Sequence, residues 1–192
     1  MSPAPTRDRI RDSAAGLFQH QGYHATGVKQ IVGGAGAPLA SLYHFFPGGK
    51  EALGAEVVRV SGAGYQALVE GVWDAAPDVV AGVHAIFAGA AAVLEGTGFE
   101  DACPIATVAL EVASTNETLR IATAEVFDAW IASATSRLAG AGLPDDAARA
   151  LAFVIVGALE GAFVLARATR SVEPLAAAGQ VAAAAVERAL AV

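Results

Sequence analysis

The sequence predicts an all-α protein, and three observations support this. Apolar residues recur at steps of three and four along the long segments, which is the spacing of one helix face. No segment shows the convincing apolar–polar alternation of a half-buried strand, and no repeat of fixed period is present. Hydrophobic residues make up 55% of the 192 residues and charged residues only 16%, with much of the surplus being alanine. This composition suits tightly packed helices around a large core.

Two helices are predicted at the start of the chain. The first carries Ile10, Leu17 and Phe18 on one face and should end at Gly22, which can adopt a left-handed conformation. Thr26 is placed to act as the N-cap of the second helix, because its hydroxyl can accept from a free backbone amide. That second helix should stop at the glycine pair that follows it.

A third, short helix is predicted from Pro38 to about Phe45, since proline suits the start of a helix. The Pro47-Gly48-Gly49 segment breaks it, and Lys50 opens a long fourth helix. Two short helices joined by a three-residue, glycine-containing turn behind a supporting helix form the layout of a helix-turn-helix.

Five further helices follow. They are predicted at about 78–94, 104–113, 116–138 and 144–168, and after 174. Residues 150–166 include Glu160 as their only charge and are short for a membrane span, so we expect a core or subunit-interface helix there rather than a membrane segment.

The formal net charge of −7 is unevenly distributed. Residues 1–60 contain six Lys or Arg against four Asp or Glu, a net charge of +2, so the remainder carries −9. Three of the four histidines also lie in this first part. A positive N-terminal region favours an anionic partner there. Arg7, Arg9 and Arg11 are either solubilising charges or candidates for phosphate contacts.

Residues 7–53, RDRIRDSAAGLFQHQGYHATGVKQIVGGAGAPLASLYHFFPGGKEAL, resemble the DNA-binding domain of the TetR family of transcriptional repressors. The resemblance lies in Leu17-Phe18, Gly22-Tyr23, Thr26, Ile31, Ala35-Gly36, Leu42 to Phe46, Lys50-Glu51 and Leu53. The segments 36–38, 46–50 and 103–106 are similar to a branch of small repressors of multidrug-efflux genes that includes flavonoid-responsive members. The resemblance implies a helix-turn-helix DNA-binding domain and a second domain for effector binding and dimerisation. We place them at residues 1–50 and 51–192.

The second helix of such a motif enters the major groove, while neighbouring groups bind phosphates. We therefore expect DNA contacts from Thr26, Lys29, Pro38, Leu39, Ala40, Ser41, Tyr43, His44 and Lys50. Leu42, Phe45 and Phe46 should pack the helix onto the domain. Family members often have Lys or Arg in place of Leu39 and Gly in place of Ala40. Because Leu39 can contact a thymine methyl group but cannot bind guanine in bidentate fashion, modest affinity or an unusual base preference is expected.

The resemblance also implies that the rest of the chain is helical, dimerises through its last two helices and encloses a pocket for a small effector. Gly157 and Gly161 share one face of an apolar helix and would allow close helix contact. The candidate ligand-binding residues are Phe87, Cys103, Glu111, Phe127, Trp130 and Phe163. Each of them is alternatively an ordinary core residue. Aromatic walls with few polar groups suit a planar, apolar effector.

No catalytic motif is complete, so neither an enzyme nor a cofactor is expected. The glycine-rich segments lack the third glycine of a dinucleotide loop, and the first glycine of a P-loop is missing before Gly49-Lys50. His20 and His24 have the spacing of a helical metal pair, but Gly22 lies between them, and no metal site is predicted.

The cysteine content points to a cytoplasmic protein. Cys103 is the only cysteine, which excludes an internal disulfide; a redox-sensing role for it is the less favoured alternative. A helical ligand-binding or scaffolding protein that has lost specific DNA binding remains an alternative to the regulator. Leu39 and Ala40 favour this alternative, because they replace residues that are common in the family. A salt-dependent affinity for duplex DNA would distinguish the two.

Overall fold

The fold is all-α, as predicted. A computed structural model describes residues 4–101 and 103–191, and within them the chain forms helices and no strand. The helices are α1 (Thr6–Gln21), α2 (Val28–Gly34), α3 (Leu39–Phe45), α4 (Gly49–Asp74), α5 (Val79–Gly96), α6 (Pro104–Val112), α7 (Glu117–Gly140), α8 (Asp145–Thr169) and α9 (Glu173–Leu190). Where an end was predicted, it agrees with the observed one to within about two residues; no C-terminal end was predicted for α4 or α9.

Side-chain caps explain several of these ends. Asp78 caps α5, its carboxylate accepting from the amide of Ala81 at 2.8 Å. At the start of α2 the prediction was wrong, because the N-cap is Gly27 and not Thr26. The backbone amide of Gly27 donates to the side-chain oxygen of Gln30 at 2.8 Å. This free amide at the start of the helix therefore has a hydrogen-bond partner that is not a hydroxyl.

The chain divides into two compact units. The first unit comprises residues 1–63 and 103–126, and the second comprises residues 64–102 and 127–192. None of the three boundaries between these units falls at residue 50, because α4 runs without a break from Gly49 to Asp74 and α6 packs against α1. The division into a DNA-binding part, residues 1–50, and an effector-binding part, residues 51–192, stays a prediction about function, while the compact units are interleaved along the chain.

The first unit is built around α1, which packs against α2, α3 and α6. Its centre consists of fully buried aliphatic and aromatic side chains. These are Ile10, Phe18, Ile31, Leu42, Leu53, Ile105, Val112 and Leu119. Burying a side chain of this size stabilises the fold by about 1.5–3 kcal/mol relative to leaving it exposed.

The second unit is centred on α9, which packs along α5 and α8. The approach of α9 to α5 is close, since a β-carbon on Gly179 would lie 2.7 Å from Cβ of Phe87. Small residues dominate this contact, with Ala182 and Ala183 also buried. The alanine-rich composition is therefore used to bring helices together.

Two helices of the second unit, α5 and α8, are long and apolar enough to cross a membrane by length and composition alone. Both pack against α9. The exposed side of α8 is nevertheless apolar, with Phe153, Val154, Val164 and Leu165 each at least half exposed.

Candidate nucleic-acid interface

The turn between α2 and α3 is held in place by α1. Gly36, at φ +58°, gives the turn its left-handed residue. The guanidinium of Arg9 donates to the carbonyl of Ala35 at 3.0 Å, and the hydroxyl of Ser13 donates to the carbonyl of Ile31 at 2.9 Å. These two contacts fix the angle between the motif and its supporting helix. The sequence did not reveal them, because each joins a side chain to a backbone carbonyl 18 or 26 residues away.

Helix α3 has one buried side and one exposed side. Leu42 is fully buried and Phe46, just after the helix, is 3% exposed, as predicted, while Phe45 is half-buried. The exposed residues at its N-terminus and along its outer side are Pro38, Leu39, Ala40, Tyr43 and His44, with Ser41 half-buried beside them. Six of the nine predicted DNA-binding residues therefore lie on this side of α3, and a seventh, Lys29, is exposed on α2.

Thr26 is the residue whose placement contradicts its predicted role. It is 1% exposed, and its hydroxyl donates to the carbonyl of Gly22 at 2.7 Å while accepting from Gln21 at 3.1 Å. A buried hydroxyl with both bonds made has no donor left for a phosphate oxygen. Thr26 therefore shapes the turn between α1 and α2 and is not part of the surface.

The arginines before the motif are largely engaged within the protein. Arg7 forms an ion pair with Glu56 and lies over the ring of Phe46, 5.2 Å from its centroid. Arg11 is paired with Asp8 and Asp12. The Arg7 pair joins α1 to α4, whereas the Arg11 pairs lie within α1. A phosphate would have to compete with these carboxylates for either guanidinium group.

Lys50, the ninth predicted residue, lies at the start of α4 but is half-buried. Its ammonium group lies 4.1 Å from the ring centroid of Tyr23, a cation–π contact. Burial lowers the pKa of Lys50, and the charge of Glu111 opposes that change. Burial, together with the charge of Glu51, raises the pKa of Tyr23, so its ring stays neutral beneath the ammonium group.

The predicted ligand-binding residues are divided between the two units. Glu111 and Cys103 belong to the first unit. The carboxylate of Glu111 accepts from the backbone amide of His24 at 2.7 Å. Cys103 is the N-cap of α6, and its sulfur accepts from the amide of Ala106 at 3.5 Å.

The four aromatic candidates belong to the second unit. Phe87 is 2% exposed and packs against α9, and Phe163 is partly buried against the same core. Phe127 and Trp130 are half-buried and meet edge to face, with ring centroids 5.7 Å apart. Phe87 thus occupies a core position, whereas the Phe127–Trp130 pair retains exposed aromatic surface.

The structure thus contains a helix-turn-helix, α2 and α3, whose second helix is exposed and which is supported by α1; the chain continues into a larger helical unit. This arrangement defines a class of DNA-binding proteins. Residues 10–57 match the family model described as bacterial regulatory proteins, tetR family. Residues 79–181 match the model described as transcriptional regulator LmrA/YxaF-like, C-terminal domain. The chain therefore belongs to the TetR family of transcriptional regulators.

Relatives and solved structures agree with this assignment. The chain is 35% identical to the HTH-type transcriptional regulator YxaF of Bacillus subtilis over 174 residues, which cover 91% of each protein. It is 30% identical to LmrA of the same organism over 91% of this chain and 93% of that protein. A TetR transcriptional regulator from Legionella pneumophila has the same fold, with a TM-score of 0.83 at 21% identity over 95% of this chain and 97% of that one.

Proposed function

We propose that this regulator is a homodimeric repressor that binds operator DNA through α3 and is released by a small apolar or aromatic effector. The exposed side of α3 carries the proposal. Leu39, Tyr43 and His44 point away from a helix that Leu42 anchors in the core. Exposed Lys29 on α2 supplies a cation for the flanking phosphates.

Base recognition by this surface depends on few hydrogen bonds. The helix sequence LASLYHF contains no Arg, Lys, Asn or Gln, the residues that bind bases in bidentate fashion. His44 and Ser41 are its candidate polar contacts, and Leu39 and Ala40 its candidate contacts with thymine methyl groups. We therefore expect an operator in which A·T pairs occupy the positions facing the start of α3.

The apolar exposed side of α8 supports dimerisation. Phe153, Val164 and Leu165 are exposed in the isolated chain, and a β-carbon built on Gly157 or Gly161 would contact nothing within 4 Å. A second copy of the chain would cover this surface about a two-fold axis. The two copies of α3 would then address half-sites about 34–36 Å apart along the DNA.

The aromatic pair Phe127–Trp130 supports a planar effector, because edge-to-face rings with exposed surface can stack on a third ring. An effector releases the protein only if it binds the DNA-incompetent arrangement more tightly than the competent one. We place this regulation in the cytoplasm, where the operator is. Activation instead of repression would need a different position of the operator relative to the promoter.

Fluorescence anisotropy with labelled duplex DNA from upstream of the protein's own gene tests the proposal. The expected result is binding that unlabelled unrelated duplex does not compete away and that weakens steeply with salt. Addition of planar aromatic compounds should then lower the anisotropy. Equally weak binding to every duplex would favour the ligand-binding protein that has lost its operator.

A further inference from the structure

Glu111 brings a carboxylate from α6 to the helices that carry the DNA-binding motif. One oxygen, Oε2, accepts from the backbone amide of His24 at 2.7 Å, across 87 residues of sequence. His24 lies in the turn between α1 and α2. A hydrogen bond from a backbone amide to an ionised carboxylate is among the stronger ones in proteins.

The turn is shaped to receive this carboxylate. Gly22 has φ +83°, a conformation that residues with side chains rarely adopt. A β-carbon at Gly22 would also overlap Oε1 of Glu111. The second oxygen therefore occupies the volume that any other side chain at this position would fill.

Lys50 is the third participant, at the start of α4. Its ammonium group lies over the ring of Tyr23, the residue between Gly22 and His24 in the sequence. The negative charge of Glu111 also acts on this ammonium group. The carboxylate thus joins α6 to the α1–α2 turn, and Tyr23 of that turn contacts Lys50 at the start of α4, all within the first unit.

We propose that Glu111 is a positioning residue of the DNA interface: its carboxylate fixes the α1–α2 turn, and with it Lys50, relative to α6. This inference rests on the proposed function. Donor and acceptor of a protein N–H···O hydrogen bond lie within about 2.7–3.2 Å of each other, so a displacement of α6 away from His24 would break this bond. The Glu111 contact therefore makes the placement of Lys50 depend on α6.

Two substitutions separate position from charge. Glu111→Gln removes the charge but keeps an oxygen that can accept from the amide of His24, whereas Glu111→Ala removes both. Glu117→Gln, in an exposed ion pair with Arg120, is the control for the lost charge. Leu110→Ala, the truncation of a side chain that is 81% exposed on the same helix, is the control for α6 itself.

The measurements are duplex affinity, by anisotropy, and hydrogen exchange of the His24 amide, by NMR, on variants shown to be folded by circular dichroism. We expect Glu111→Ala to bind operator duplex up to about tenfold more weakly than Glu111→Gln and to exchange the His24 amide up to about tenfold faster, as loss of the one hydrogen bond that Gln keeps implies. Both controls should match the wild type.

The outcomes distinguish this inference from the proposed function. Equal affinities of Glu111→Ala and Glu111→Gln for a duplex that the wild type binds specifically would overturn the positioning role and leave the proposed function standing. Faster exchange at His24 without a change in affinity would show that the contact stabilises only the fold. Failure of the wild type to bind any duplex specifically would overturn both.

Discussion

The exposed sides of α3 and α8 both carry large apolar residues, yet they are suited to different partners. On α3, Leu39 is 42% and Tyr43 51% exposed; on α8, Phe153 is 50% and Leu165 57% exposed. The difference lies in what surrounds them. Helix α3 also carries the hydroxyls of Ser41 and Tyr43 and the imidazole of His44, and α2 exposes the ammonium of Lys29. The exposed side of α8 continues with valine and glycine, and Arg149 of the same helix lies over the ring of Phe153, 5.0 Å from its centroid.

Exposure of apolar residues therefore does not by itself identify a partner. Hydrogen-bond donors near an apolar patch suit a phosphate backbone with methyl groups in its groove. A patch of aliphatic side chains and glycines suits another helix of the same kind, because small residues let backbones approach. Substitutions on α8 should consequently change association of the chain, whereas substitutions on α3 should change its affinity for DNA.

The largest effect is expected from Leu165→Glu, which places a charge on the exposed side of α8. The monomer should stay folded, because Leu165 is exposed in the isolated chain, but the dimer should dissociate and affinity for a two-half-site operator should fall about 100-fold or more. Analytical ultracentrifugation measures the association. Val93→Glu, at an equally exposed position on α5, is the matched control; a dimer that survives Leu165→Glu would rule out this interface.

A smaller, sequence-independent effect is expected from Lys29→Ala on α2. If its ammonium group contacts a phosphate, the slope of log affinity against log salt should decrease in magnitude by about one, for specific and unrelated duplex alike. Anisotropy titrations at four or more salt concentrations give the slope. Arg120→Ala in α7 removes a cation that is already paired with Glu117 and should leave it unchanged.

A smaller effect still, confined to single bases, is expected from Leu39→Ala. Replacing thymine by uracil in the operator removes only the methyl group, and at a position facing Leu39 this should weaken wild-type binding about fourfold, the value of one buried methyl group. The Leu39→Ala variant should no longer distinguish the two bases there. If no thymine position shows this coupling, Leu39 does not read the operator.

The smallest effect on DNA binding is expected from Thr26→Val, which keeps the shape of the buried side chain and removes its hydroxyl. Loss of the hydrogen bond to Gly22 should lower the free energy of unfolding by about 1–2 kcal/mol, as measured in urea. The salt slope of DNA binding should stay that of the wild type. A salt slope of smaller magnitude than that of the wild type would show that Thr26 contacts a phosphate after all.

The sequence by itself determined the helices, their order and the family. Periodicity and caps are local properties, so most helix ends were predictable to within about two residues; the C-terminal ends of α4 and α9 were not predicted. The exposed residues of α3 were predictable too, since Leu42 and Phe46 specify which side is buried. The N-cap of α2 was predicted one residue early, because Thr26 and Gly27 are adjacent and the choice depended on where the hydroxyl of Thr26 points.

Only the tertiary structure decided which polar groups remain available. Thr26, Arg7 and Glu111 have residue types that suit a phosphate or a ligand, but their partners, Gly22, Glu56 and His24, are chosen by packing. The contact between Glu111 and His24 spans 87 residues and ends on a backbone amide, which leaves no trace in side-chain spacing. Helices are encoded in short-range sequence patterns, whereas the partners of polar side chains are decided only when segments distant in sequence pack together.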